Sequence, residues 1–245
     1  MEVPNPPWHR EPRRRASKPQ LSQELVVKTA LGILAAEGID AVSMRRVSQA
    51  LDTGPASLYA HVSNKDELDE LMFDRILGEV SLPTPDPERW AEQAKEILRG
   101  QVKAMLAYPG IAKVAWRTMV PVGPNVLRHG EAVLALLRAG GLSLKQAAFA
   151  GDALSLYTKA YAYEGSVWTS GEVDQADVAR RGEQMTEYMN SLPPQAFPNM
   201  LQLGAFFNEE TASDRFEFAL DMFLSGLANL ASHPPSRARD DKLGT

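Results

Sequence analysis

The 245-residue chain has no cysteine, which excludes a disulfide frame, a thiolate metal cluster and a cysteine nucleophile. No apolar run approaches the ~20 residues that a membrane-spanning helix needs, so no membrane partner is expected. Strand signals are missing: there is no Asn-Gly hairpin dipeptide and no alternating Val/Ile/Thr segment. Residues 1–15 lack the apolar stretch of a signal peptide, so export is not expected and the cytoplasm is the expected compartment. The four histidines, His9, His61, His129 and His233, are too scattered for a ligand set. No phosphate loop, Ser-His-Asp set or paired-carboxylate motif is present. Neither a metal, a cofactor nor an enzymatic activity is therefore expected.

What is there is ordinary in bulk and uneven in distribution. Apolar residues at 44% and charged residues at 23% match a globular protein able to bury a core. A net charge of −5 argues against nonspecific coating of nucleic acid. Between Arg10 and His61, however, eight Lys/Arg face five Asp/Glu, so a small basic head precedes an acidic body. That asymmetry is compatible with specific DNA binding.

Residues 1–20 hold five prolines and Arg13-Arg14-Arg15, and read as a flexible arm. It is either a solvated tail or a basic strand that touches phosphates or the minor groove. Ser22 can cap a helix to Glu37 with Val27, Ala30, Leu31 and Leu34 on one face, stopped by Gly38. Ser43 caps a short second helix to Leu51. Asp52-Thr53-Gly54 reads as a tight turn, and Pro55 suits the first position of a third helix. Asn64 with Glu67 makes a capping box for a fourth helix over 65–80. The run 82–87, with three prolines, is the expected boundary. Beyond it, helices are expected over 87–107, 111–119, 125–139, 143–170, 172–192 and 210–230, with a short apolar element at 198–207. Residues 233–245 read as a disordered tail. The expected fold is all-α: a three-helix head with a helix-turn-helix over 21–80, and a larger helical domain over 86–232.

Two short helices joined by a glycine-containing turn form a helix-turn-helix, whose second helix enters the major groove. At 100° per residue, Leu58 and Val62 face the core, while Ala56 and Ala60 lie opposite with Ser57 and Tyr59 beside them. Small residues let the backbone approach base edges, and hydroxyls can reach phosphates. Lys65 opens the fourth helix, whose dipole already favours anions. Arg45 and Arg46 open the second helix, where a cation gains nothing from the dipole and is better explained by an anion or guanine partner. On spacing alone, any helical hairpin could look like this.

The segments 43–51, 55–62 and 64–68, above all Ser57-Leu58-Tyr59 followed by His61-Val62 and Asn64-Lys65, resemble the DNA-binding domain of the TetR family over residues 21–73. The resemblance implies that Arg45 reads a base, that Pro55, Ala56, Tyr59 and Ala60 face the groove, and that Tyr59, His61 and Lys65 bind phosphate. Residues 136–143, running into a long helix ending at Tyr163-Glu164, are similar to the regulatory domain of the tetracycline-repressor subgroup. This implies a homodimeric, ligand-responsive repressor on a palindromic double-stranded operator, with helices 143–170 and 210–230 pairing between subunits. The subgroup's founder takes a magnesium–tetracycline chelate through a histidine. Trp116 stands at that place here, so a metal chelate is not expected.

The aromatic and methionine content of the body suits a flat, apolar inducer. Met105, Trp116, Met119, Phe149, Tyr157, Tyr161 and Trp168 are the candidate ligand contacts, with Phe197, Met200, Phe206 and Phe207 behind them. The same residues would also suit core or dimer packing. An activator or a non-DNA-binding helical adaptor remain alternatives at this level.

Overall fold

The computed structural model describes residues 20–108, 110–117, 122–169, 174–206 and 211–233, with backbone alone described for residues 168, 169, 175, 204, 205 and 212. The described residues are all helix and connection, as expected. The expected arm at 1–20, but for Gln20, and the expected tail beyond His233 lie outside them.

Helix α1 (Gln23–Glu37) starts where Ser22 Oγ accepts the Leu25 amide at 3.2 Å, and ends at Gly38, whose φ of 82° most residues avoid. A 3₁₀ turn at Ile39–Ala41, not anticipated from sequence, follows. Helix α2 (Met44–Ala50) is capped by Ser43, which accepts the Arg46 amide at 3.1 Å. In the turn after it the left-handed residue is Asp52, at φ 49°, rather than glycine. Aspartate is among the few non-glycine residues that tolerate this region. Gly54 has an ordinary φ of −80° and serves as N-cap.

Helix α3 (Pro55–Leu58) is a single turn, prolonged by His61 and Val62 amides donating to the Leu58 carbonyl. Helix α4 (Lys65–Leu77) is capped by Asn64 as expected, but Glu67 reaches one residue further back than a capping box does. Asn64 accepts the Glu67 amide at 2.8 Å, and the Glu67 carboxylate accepts the Ser63 amide at 2.6 Å. That bond holds the Glu67 carboxyl below its ordinary range.

Two expectations fail at the boundary. Helix α4 stops at Leu77 instead of 80: the Glu79 and Val80 amides turn back to the Ile76 and Leu77 carbonyls, three residues earlier, and the Leu77 carbonyl also accepts His129 Nε2–H at 2.9 Å. Helix α5 (Trp90–Leu106) starts three residues later than expected. Asp86 takes the Glu88 and Arg89 amides into a turn, and Gln93 reaches back to the Asp86 amide and the Thr84 carbonyl, both at 2.8 Å. The proline run is thereby fastened down.

The body continues with α6 (Ile111–Arg117), α7 (Pro124–Ala139), α8 (Leu144–Thr169), α9 (Gln175–Ser191), a 3₁₀ segment at Met200–Phe206, and α10 (Ala212–Ser232). Ser143 and Gln146 form a capping box. One apolar cluster joins α5, α7, α8 and α10 around Ile97, Leu136, Leu137, Leu154 and Leu220. The other fills the head around Val26, Leu34, Leu58 and Met72, and extends without a break to Met105, Ile111 and Val114 of the body. The apolar core thus runs on past the boundary expected at residues 82–87. At this junction Gly110, φ 90°, lies so close to Ile39 that a Cβ would come within 2.6 Å of it.

Candidate functional site

Two regions carry chemistry. The first is the exposed surface of the helix-turn-helix. Leu58 and Val62 are buried, at 0% and 1% exposure, which turns Pro55, Ala56, Ser57, Tyr59 and Ala60 outward. Tyr59 keeps 54% of its surface exposed. His61 is half-buried, and its carbonyl accepts Gln23 Nε2–H at 3.2 Å. The two arginines part company. Arg45 is exposed, whereas Arg46 is gripped by Glu37, Nε to Oε2 at 3.1 Å and Nη2 to Oε1 at 2.5 Å. The pair raises the Arg46 guanidinium and lowers the Glu37 carboxyl. Lys65 likewise pairs with the buried Asp69 on its own helix. The partner expected of Arg46 outside the protein is thus supplied within it.

The second region is a cavity of about 350 Å³, within the range of small-ligand sites. Its walls are Phe73 and Leu77 of α4, Leu98, Gln101 and Met105 of α5, Val126, His129, Gly130, Val133 and Leu134 of α7, and Ala148, Gly151, Asp152, Ser155 and Lys159 of α8. Of the sequence candidates Met105 stands on this wall. Tyr157 and Tyr161 instead pack with Phe216 (ring centroids 5.7 and 4.6 Å) and join α8 to α10. Burial raises both phenols above their ordinary values. Trp116 and Phe149 are 55% and 67% exposed, away from the cavity lining. Met119 and the side chain of Trp168 lie outside the described residues.

Sequence reasoning looked for large aromatic side chains and missed the small ones. A cavity exists where side chains are short, and Ala148, Gly151 and Ser155 recur at helical spacing on α8 opposite Gly130 of α7. Polar residues on that same face, Asp152 and Lys159, were the legible sign that it is not packed core.

A buried polar joint fastens α4 to this wall. The Asp74 carboxylate accepts the Asn125 and Val126 amides at 2.8 and 3.0 Å and Asn125 Nδ2–H at 2.9 Å, capping α7 from a different helix. Gly123 is needed for that approach, since a Cβ there would fall 2.2 Å from the carboxylate. His129 donates from Nε2 to the Leu77 carbonyl, which leaves Nδ1 to accept Gln101 Nε2–H at 3.0 Å. Burial holds this imidazole below its ordinary value, hence neutral. Leu77, Gln101 and His129 all belong to the cavity wall.

An outward apolar stripe on α8 (Phe149, Leu156, Tyr163) and another on α10 (Phe218, Met222, Leu230) stay exposed in the single chain. Glu164 is engaged by Arg215 at 3.2 Å.

Comparison with known proteins finds two family models along the chain. Residues 26–70 match the bacterial regulatory proteins of the tetR family, and residues 82–231 match the tetracyclin repressor-like C-terminal domain. An HTH-type transcriptional regulator of Saccharopolyspora erythraea is 33% identical over 166 residues, 68% of this chain and 70% of that one. The apo structure of ActR from Streptomyces coelicolor superposes with a TM-score of 0.77 at 44% identity, covering 86% of this chain and 97% of that one. ActR in complex with actinorhodin gives the same score and identity, covering 86% and 98%.

Proposed function

The chain belongs to the TetR family and is a ligand-responsive transcriptional repressor; from that premise we propose which of its residues hold operator and effector. Operator contact is assigned to Arg45, Pro55, Ala56, Ser57, Tyr59, Ala60, His61 and Lys65. Arg45 is the base-reading arginine, supported by its exposure, while Arg46 braces α1 through Glu37. The apolar stripes of α8 and α10 pair with those of a second copy. The resulting two-fold dimer suits an operator with half-sites about one helical turn, ~34–36 Å, apart.

The effector site is the cavity between α4, α5, α7 and α8, and its occupant is a small, largely apolar molecule. ActR forms a complex with actinorhodin, and a cavity in the same kind of domain here has the size for an organic effector. One observation carries this reading. Phe73 and Leu77, at one end of α4, line the cavity, and Lys65, at the other end, adjoins the α3 turn. An occupant that changes the Leu77–His129 or Asp74–Asn125 contacts re-aims α4 and with it the head. Release needs only that effector and operator prefer different arrangements, a coupling of about 1–3 kcal/mol.

The test is a mobility-shift titration on DNA from upstream of the protein's own gene. Tyr59→Ala combined with Lys65→Ala should abolish the shift while the dimer persists. Met105→Trp, which fills the cavity, should keep the shift and lose its reversal by aromatic effectors. Reversal unaffected by Met105→Trp places the effector elsewhere.

A further inference from the structure

Lys159 is out of keeping with its surroundings. It is half-buried in α8 and, among the described residues lining the cavity, is the one lysine or arginine. Two other partly buried lysines are paired with carboxylates, Lys65 with Asp69 and Lys95 with Asp221. The Lys159 ammonium has no hydrogen bond or ion pair among the described residues. Lysine is seldom buried without a partner, because desolvating its charge is costly. Burial indeed pushes this ammonium below the ordinary lysine value, with the charge of Asp152 acting in the opposite sense.

The rest of the wall does not supply the missing anion. His129 is neutral, with both ring nitrogens occupied, and Gln101 carries no charge. Asp152 shares the wall but sits seven residues earlier on α8, about 10 Å along the axis. It is exposed, at the opposite end of the polar stripe from Lys159. The stripe is therefore polarised: a carboxylate at one end, a hydroxyl from Ser155 between, and at the other an ammonium that Asp152 favours without an ion pair.

We propose that the cavity is built for an apolar organic acid, whose carboxylate or equivalent anion pairs with Lys159 while its uncharged body lies against the apolar side chains of the wall. This rests on the assignment of the cavity as the effector site and narrows it to a monoanionic ligand. A neutral ligand of the same shape would leave the ammonium buried and unpaired. An anion converts that cost into a charge-assisted contact.

A matched pair of probes separates the charge from the apolar body: anilinonaphthalene sulfonate and its uncharged parent, N-phenylnaphthylamine. Fluorescence titration of the full chain should show the sulfonate binding at least about tenfold more tightly, the scale of one charge-assisted contact. Lys159→Met should bring the two probes to parity while the neutral probe keeps its affinity, and Lys159→Arg should preserve the preference. Gly151→Leu has room for its Cβ, 3.6 Å from Leu134 Cδ2, and points bulk into the cavity, so it should exclude both probes. A Lys159→Met protein that still prefers the sulfonate, or that loses both probes equally, overturns the acid-binding inference but leaves the cavity assignment standing. Both probes binding unchanged to Gly151→Leu overturns the cavity assignment itself.

Discussion

The head and the body of this molecule solve opposite problems. The head presents a surface, so its functional residues are those that packing leaves over: with Leu58 and Val62 inside, Tyr59 and Ala56 have nowhere to go but out. The body encloses a space, so its functional residues are defined by what is absent between helices. The described aromatic side chains of α8 went to the joint with α10 or to the outer stripe, and the cavity formed against the short side chains instead. A protein surface can be inferred from one helix at a time, whereas a cavity needs four helices placed together.

The two regions are nevertheless one mechanical object. Their apolar cores run together through Met105, Ile111 and Val114, and the end of α4 is bonded into α7 by Asp74 and His129. The experiment most disruptive to this contrast is Asp74→Ala, which strips a buried acceptor from two amides and the Asn125 side chain. It should cost about 3 kcal/mol, and calorimetry should show a melting point lowered by several degrees. A protein melting as before would mean that head and body are not joined there.

Next in size is the surface itself. Tyr59→Ala with Lys65→Ala should weaken operator binding about 100-fold in an anisotropy titration, as two phosphate contacts require, without changing sedimentation of the dimer. The arginine pair then sharpens the distinction between contact and scaffold. Arg45→Ala should lower operator affinity about tenfold or more, whereas Arg46→Ala should act mainly on the melting temperature. Equal losses of affinity from both would merge the two roles.

Smaller still is the proton linkage of His129. Its folded value lies below the ordinary 6.5, so the unfolded chain takes up the proton first as pH falls. The stabilisation is complete above pH 6.5 and is lost progressively below it, toward the depressed folded value. Thermal melts between pH 7.5 and about 5 should therefore fall more steeply for the wild type than for His129→Asn. Parallel slopes would show that the ring is not held neutral against α4. At the bottom of the scale, Trp116→Ala should leave effector response unchanged, since that ring faces solvent in the single chain.

Much of this was present in the residue order, for a local reason. Ser22, Ser43, Asn64 and Ser143 cap helices through bonds to amides three residues on, which need nothing from the rest of the chain. The buried stripe of α1 and the inward Leu58 and Val62 follow from helical period alone. By itself the sequence determined an all-α chain, the starts of the helices capped by Ser22, Ser43, Asn64 and Ser143, and which face of the helix-turn-helix stays outside. Tertiary structure decided that the end of α4 is tied to α7, where the Leu77 carbonyl accepts a bond from a histidine 52 residues away. It decided that Glu37 holds Arg46, that Asp74 caps a helix it does not belong to, and that a lysine on α8 faces an apolar cavity rather than water. Each of these depends on groups brought together from distant parts of the chain, which no periodicity in the sequence encodes.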